Sequence, residues 1–95
     1  MPRTNFRYIK IMYYFYVIKN ELDKPYYGYT NNLKKRLFEH NKGINFSTKK
    51  HFWKLIYYEA YFSKEDAEER EKQIKQFGQA WAQLRRRIKK SLNES

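Results

Sequence analysis

Arg36 and His40 stand four residues apart in the segment "PYYGYTNNLKKRLFEHN", residues 25–41. On a helix this spacing puts a guanidinium and an imidazole one turn apart on the same face. The guanidinium is a planar, permanently charged fork that suits phosphate. The imidazole titrates near neutral pH. Just before them, Gly28 interrupts an aromatic stretch, which marks a bulge or a point where another group comes close to the backbone. Leu33, Arg36, Leu37 and His40 occupy i, i+3, i+4 and i+7, the stripe a helix turns toward its core. Ala67, Arg70, Glu71 and Ile74 repeat the spacing further along. Charge at a core edge costs roughly several kcal/mol per ion unless a partner or water compensates. Two readings follow. Either Arg36 or Arg70 pairs with Glu71 or Glu59 as a packed salt bridge, or these groups face a ligand. Taken together, beside two tyrosine-bearing segments, they read as a site.

Those groups need elements to carry them. "MYYFYVIK", residues 12–19, is β-branched and aromatic and ends at the loop "NELDK", which predicts a strand. Tyr14, Tyr16 and Ile18 share one face, and Tyr13, Phe15 and Val17 the other. Both faces are apolar, so the strand is expected at the centre of a sheet. "YYGYT" predicts a short hairpin partner. Thr30 or Asn31 is placed to cap the helix "NLKKRLFEHNKG", and Gly43 to stop it. A loop, "INFSTKKHFW", leads to a third strand, "KLIYYEAYF". Ser63 and Asp66 form a capping-box pattern for a helix reaching about Phe77, with Gly78 ending it. A last helix, "AWAQLRRRIKK", carries Trp81, Leu84 and Ile88 on one stripe. The order is β-β-α-β-α-α. It predicts an α/β or α+β fold with a small three-stranded mixed or antiparallel sheet flanked by helices. Residues 1–11 read as a basic extension, 12–90 as a single domain and 91–95 as a tail.

Bulk properties narrow the partners. The 95 residues hold 21 Lys and Arg against 10 Asp and Glu, a formal net charge of +11. A small domain with this excess attracts polyanions, nucleic acid first. No long helix pairs a basic face with a broad apolar one, and no apolar run is long enough to span a bilayer, so no membrane partner is expected. There is no cysteine, which excludes disulfides and thiolate metal sites and agrees with a reducing, cytoplasmic home. Lys34, Lys35, Lys49, Lys50, Arg85, Arg86 and Arg87 are candidate contacts to the backbone phosphates, as are Lys89 and Lys90. Such contacts position a nucleic acid without reading its sequence. His51, in a basic loop, reads as a solvated, nucleic-acid-facing residue rather than a ligand.

These features together resemble the GIY-YIG nuclease superfamily. Its first strand tripeptide is matched by "YFY" at Tyr14-Phe15-Tyr16, and its second by "YYG" at Tyr26-Tyr27-Gly28. Its helix with an Arg followed one turn later by His or Tyr is matched by Arg36 and His40. Its metal-binding Glu falls at Glu71 in "AEEREKQIK". The resemblance runs from residue 12 to about 90 and is closest to small single-domain bacterial members. Tyr14 stands where the first motif has glycine, and Tyr27 where the second has isoleucine. Where many members carry an Asn about a dozen residues after the Glu, this chain has Gln79 and Gln83, and Gln83 is the candidate stand-in.

The resemblance implies a metal-dependent endonuclease acting on phosphodiester bonds. It implies one Mg²⁺ or Mn²⁺ on Glu71, Arg36 on the phosphoryl oxygens, Tyr26 positioning phosphate, and Tyr16 or His40 as base. DNA is expected before RNA, in repair or recombination. With no separate recognition domain, cleavage is expected to be structure-selective or weakly sequence-specific. The alternative is a non-catalytic nucleic-acid-binding module that keeps the fold. An RNA-recognition sheet is disfavoured because its "[K/R]-G-[F/Y]-[G/A]-F-V-x-[F/Y]" signature is absent and the element order differs. A structural protein that pairs with an acidic partner is the remaining rival. Oligomeric state is not encoded in any pattern found.

Overall fold

The computed structural model describes residues 11–43 and 50–94. The order is β1 (Tyr13–Asn20), β2 (Pro25–Thr30), α1 (Leu33–Asn41), β3 (Trp53–Tyr61), α2 (Lys64–Gln76), α3 (Gly78–Arg87) and α4 (Lys89–Glu94). The strands form one antiparallel sheet in the order β2-β1-β3. The doubly apolar β1 is therefore central, as its composition demands. Its alternation sorts two cores. Phe15 and Val17 point to one face and pack with Ile74 of α2, Leu84 of α3 and Ile88. Tyr16 and Ile18 point to the other and pack with Trp53, Tyr26, Leu55 and the α1 residues Leu33 and Leu37. Phe15 is fully buried, so truncating it to Ala is worth about 3–5 kcal/mol.

The β1–β3 register slips between Val17 and Ile18: Val17 faces Tyr57 while Ile18 faces Leu55. One extra residue, Ile56, is absorbed there as a bulge, and both Ile56 and Tyr57 pack against the Phe15 core. The hairpin between β1 and β2 is closed by Asn20, whose Oδ1 accepts from the backbone N–H of Leu22 at 2.9 Å and of Lys24 at 3.0 Å.

Four local expectations change. Neither Thr30 nor Asn31 caps α1. Asn32 does, its Oδ1 accepting from Lys35 N at 3.0 Å, while Thr30 Oγ1 accepts from Asn32 N at 3.1 Å and shapes the turn before it. Ser63 does cap α2, but its acidic partner is Glu65 rather than Asp66: the hydroxyl accepts from Glu65 N and donates to Glu65 Oε1 at 2.9 Å. Gly78 does not stop α2. Phe77 ends α2 in extended backbone, and Gly78 opens α3. The single terminal helix also breaks, at Ile88, into α3 and α4. Ile88 leaves helical geometry (φ −108°, ψ 27°) with its side chain buried in the core, and Leu92 on α4 packs against the same cluster. Gly43 sits where α1 ends, with φ 74°, the left-handed conformation glycine adopts without penalty.

Candidate active site

Four of the five residues singled out for catalysis meet in one open cleft of about 510 Å³. Tyr16 from β1, Tyr26 from β2, Arg36 from α1 and Glu71 from α2 all line it, with Gly28 in its wall. The fifth, His40, lies behind Tyr16. It is fully buried, and its Nε2 is 2.8 Å from the Tyr16 hydroxyl. The Tyr26 ring packs edge-on against His40 with centroids 5.2 Å apart, and the Tyr16 ring does so at 5.9 Å. The position of His40 is fixed from the helix end. Asn41, the next residue, donates through Nδ2 to the Trp53 carbonyl at 3.1 Å and accepts from Trp53 N at 2.7 Å. That pair of bonds pins the last turn of α1 to the first residue of β3.

Gly28 has a specific reason to be glycine. It is paired with Tyr16 across the β1–β2 ladder. A Cβ on it would meet Tyr16 Oη at 2.4 Å and Cζ at 2.6 Å. The close approach that Gly28 permits is thus that of Tyr16's own phenol, folded over the neighbouring strand.

The electrostatics divide the tyrosine and the histidine. Burial pushes the Tyr16 hydroxyl well above the usual phenol range; Arg36 opposes this, while Tyr26, Glu71 and Glu39 add to it. Burial also pushes His40 below its ordinary 6.5, and Arg36 pushes the same way against Glu39. At neutral pH Tyr16 is therefore protonated and His40 neutral, so the hydroxyl donates and Nε2 accepts.

Glu71 is a partly buried carboxylate that pairs with Lys75 Nζ at 3.6 Å on the next helical turn, a cation that also lies 5.7 Å over the Tyr26 ring. Among the described residues no three His, Cys, Asp or Glu side chains cluster as a metal cage. A single carboxylate on a polar, open cleft fits a mostly hydrated Mg²⁺ or Mn²⁺, which keeps several waters and takes its other oxygens from phosphate.

Several expected contributors lie elsewhere. Arg70 is not in the cleft. It makes a fork-like pair with Glu59 (Nε to Oε1 at 3.0 Å, Nη2 to Oε2 at 3.1 Å), and Tyr57 (2.7 Å) and Tyr61 donate to the same carboxylate. Burial works to raise the Glu59 pKa, but the bonds from Arg70, Tyr61 and Tyr57 outweigh it and hold the group below its ordinary value. Burial, and then the bond to Glu59, push Tyr57 up to about 12. The salt-bridge alternative is therefore correct for Arg70. Arg36 pairs loosely with Glu39 at 3.5 Å and keeps its place in the cleft. His51 is not simply solvated: its Nδ1 lies 2.6 Å from Glu21 Oε2. That bond, with one from Phe52 N, holds Glu21 down to about 2. Lys34, Lys35, Lys50, Gln83, Arg85, Arg86 and Arg87 are exposed, and none lines the cleft. Lys49 lies outside the described residues.

The cleft also holds residues that no sequence pattern flagged. Lys64, at the start of α2, and Tyr29 line it. The Tyr29 hydroxyl donates to Glu68 Oε2 at 2.9 Å, which places a second carboxylate one turn from Glu71. Glu68, Glu71 and Lys75 recur at i, i+3 and i+7, so the helical spacing from Glu71 was the available signal.

A family model described as the GIY-YIG catalytic domain matches residues 12–87. The chain is 38% identical over 65 residues to a UPF0213 protein of Bacillus pumilus, covering 66% of this chain and 66% of that protein. It is 38% identical over 66 residues to a UPF0213 protein of Clostridium perfringens, covering 67% and 71% respectively. A UPF0213 protein of Staphylococcus haemolyticus is 36% identical over 67 residues, covering 68% of this chain and 82% of that one. The chain thus spans about two thirds of the length of the first of these relatives and more of the others. No solved structure matches it. Among the described residues no helix is long and apolar enough to cross a membrane.

Proposed function

This chain belongs to the GIY-YIG family of nucleases, and we propose that it is a metal-dependent endonuclease that hydrolyses DNA phosphodiester bonds. The observation that carries the reading is the Tyr16–His40 bond of 2.8 Å in the wall of a cleft that also holds Arg36 and Glu71. His40 is fully buried and cannot touch a substrate. Tyr16 lines the cleft but resists losing its proton. The two work as a relay. The attacking water gives its proton to the Tyr16 oxygen as the Tyr16 proton passes to His40 Nε2. As hydroxide adds to phosphorus the bond to the departing ester oxygen breaks, so the net change is one imidazolium behind the tyrosine and one alkoxide that takes its proton from solvent. No free phenolate is needed, which removes the difficulty of a base with a raised pKa.

Arg36 pairs with the phosphoryl oxygens, where its fixed charge opposes the charge that builds in the transition state. Tyr26 backs the His40 ring and meets the phosphate from β2. A divalent ion held by Glu71 would supply positive charge to the phosphate and to the departing oxygen. Among the described residues no recognition element stands beyond this cleft and the basic surface, so substrate choice is by shape or weakly by sequence, as in repair or recombination. The test is a panel of labelled linear, nicked, flapped and four-way-junction DNA, with Mg²⁺, Mn²⁺ or EDTA, for wild type and Glu71→Gln. Metal-dependent products that disappear in Glu71→Gln support the reading. Binding without cleavage under either metal would replace it with that of a non-catalytic DNA-binding module.

A further inference from the structure

A second polar cavity opens at the other end of the β1–β2 hairpin. Lys19, Trp81, Arg85 and Leu92 line a space of about 420 Å³. Arg85, Arg86, Lys89 and Leu92 line an adjoining one of about 310 Å³. Arg85, Leu92 and Asn93 are shared, so the two form one continuous groove along α3 and α4. Its one lining carboxylate, Asp23, is already paired with Lys19 at 3.1 Å. Among the described residues up to Asn93 no carboxylate lies within ion-pair distance of Arg85, Arg86 or Lys89. These three cations thus line the groove with no acidic partner among those residues.

The row is held in place from beneath. Leu84 and Ile88 anchor it in the core. The Lys19 ammonium, its side chain only 8% exposed, donates to the Leu92 carbonyl and ties α4 to β1. Trp81 packs at a tilt against Tyr27 with centroids 4.9 Å apart. Cations fixed by a packed floor lose less freedom on binding than cations on a loop.

The groove lies beside the cleft along the same hairpin. Pro25 lines the groove and Tyr26, the next residue, lines the cleft. Lys19 shares the face of Phe15 and Val17, opposite Tyr16, and its ammonium is engaged by Leu92 and Asp23. The cations left to meet a nucleic acid that extends past Pro25 are Arg85, Arg86 and Lys89.

We propose that this groove grips the phosphate backbone of a DNA arm that extends beyond the cleft. The inference rests on the nuclease reading for where the cut falls, and not for the binding itself. The test uses the full chain without divalent ion. Fluorescence anisotropy reads binding to labelled DNA hairpins whose flanking arm is about 3 or about 15 base pairs, over a range of salt. Wild type is compared with an Arg85→Ala/Arg86→Ala/Lys89→Ala variant. On the long arm the variant should bind at least about ten-fold more weakly, with a log–log salt slope shallower by about 2–3, from about 0.9 per lost contact. On the short arm the two proteins should coincide. Unchanged binding to the long arm, or equal weakening on both arms, overturns the assignment, as does a wild type that binds neither. Arm-dependent weakening in a protein that cuts nothing with Mg²⁺ or Mn²⁺ supports the groove and removes the nuclease reading alone.

Discussion

Gly28→Ala should damage the site without replacing any of its functional groups. The added Cβ would lie 2.6 Å from Tyr16 Cζ and 2.4 Å from Oη, whereas carbon atoms in comfortable contact are about 3.5–4.0 Å apart. The ring has to retreat by about 1 Å. It cannot do so freely, because Tyr16 is 3% exposed and its hydroxyl is held at 2.8 Å by His40. Overpacking of this kind costs about 1–3 kcal/mol, and loss of the hydrogen bond adds about 1 kcal/mol. At the lower end, a net loss of about 2 kcal/mol corresponds to a fall in Tm of roughly 8–16 °C for a domain of this size. The effect on cleavage should be larger than the stability loss suggests, since a displacement of about 1 Å of a reacting group can cost about 10²-fold. Thermal unfolding by circular dichroism gives the first quantity. Single-turnover cleavage of labelled DNA, well below the lowered Tm, gives the second. Tyr16→Phe in the same background separates the causes. It removes the Oη clash but not the Cζ one, so the double variant should recover part of the stability and none of the rate. A Gly28→Ala protein that melts and cuts like wild type would refute the account of why this position is glycine, and with it the packed placement of Tyr16.

Other outcomes follow from the same geometry. His40 is neutral when folded and has its pKa below 6.5. The unfolded chain therefore binds more protons in that range, and stability should be full above pH 6.5 and fall as pH drops through the folded value; cleavage should fall over the same interval, and a rate that rises on acidification would contradict the relay. Glu71→Gln should lower cleavage by about 10²-fold or more and abolish Mn²⁺ binding in a direct titration, since its carboxylate is the cation ligand proposed for the cleft. Arg70→Ala should cost about 2 kcal/mol by stranding the Glu59 carboxylate, seen as a lowered urea midpoint, while the salt dependence of DNA binding keeps its slope; a shallower slope would return Arg70 to the nucleic-acid surface. Asn41→Ala should release the last turn of α1 from β3, costing about 1–2 kcal/mol and slowing cleavage by displacing His40, with amide hydrogen exchange showing the loosened turn.

The element order and the identity of the central strand were legible because they rest on local rules. A two-faced apolar run can only be satisfied between two layers, and β1 is found there. The residues of the cleft were legible for a related reason. Arg36 and Glu71 break the apolar stripe of an otherwise regular helix, and that conflict shows in spacing alone. What spacing does not carry is partnership across the fold. The stripe pattern treats Arg36 and Arg70 alike, yet one faces the cleft and the other is consumed by Glu59, because β3 delivers a carboxylate to Arg70 of α2 while Arg36 pairs only with Glu39 of its own helix among the described residues. The two candidate bases, Tyr16 and His40, are 24 residues apart in the chain. Only the packing of α1 on the Tyr16 face shows that they are hydrogen-bonded to one another, with the histidine hidden and the tyrosine in front. Helix ends were the least predictable, since Asn31 and Asn32 are equally good caps until Thr30 fixes the turn. The break at Ile88 is set by where the core lies, not by any residue that stops helices. By itself, then, the sequence determined which groups are present, on which element and on which face. The tertiary structure decided which of them meet, because burial and charge pairing depend on what the other elements bring to the same few ångströms.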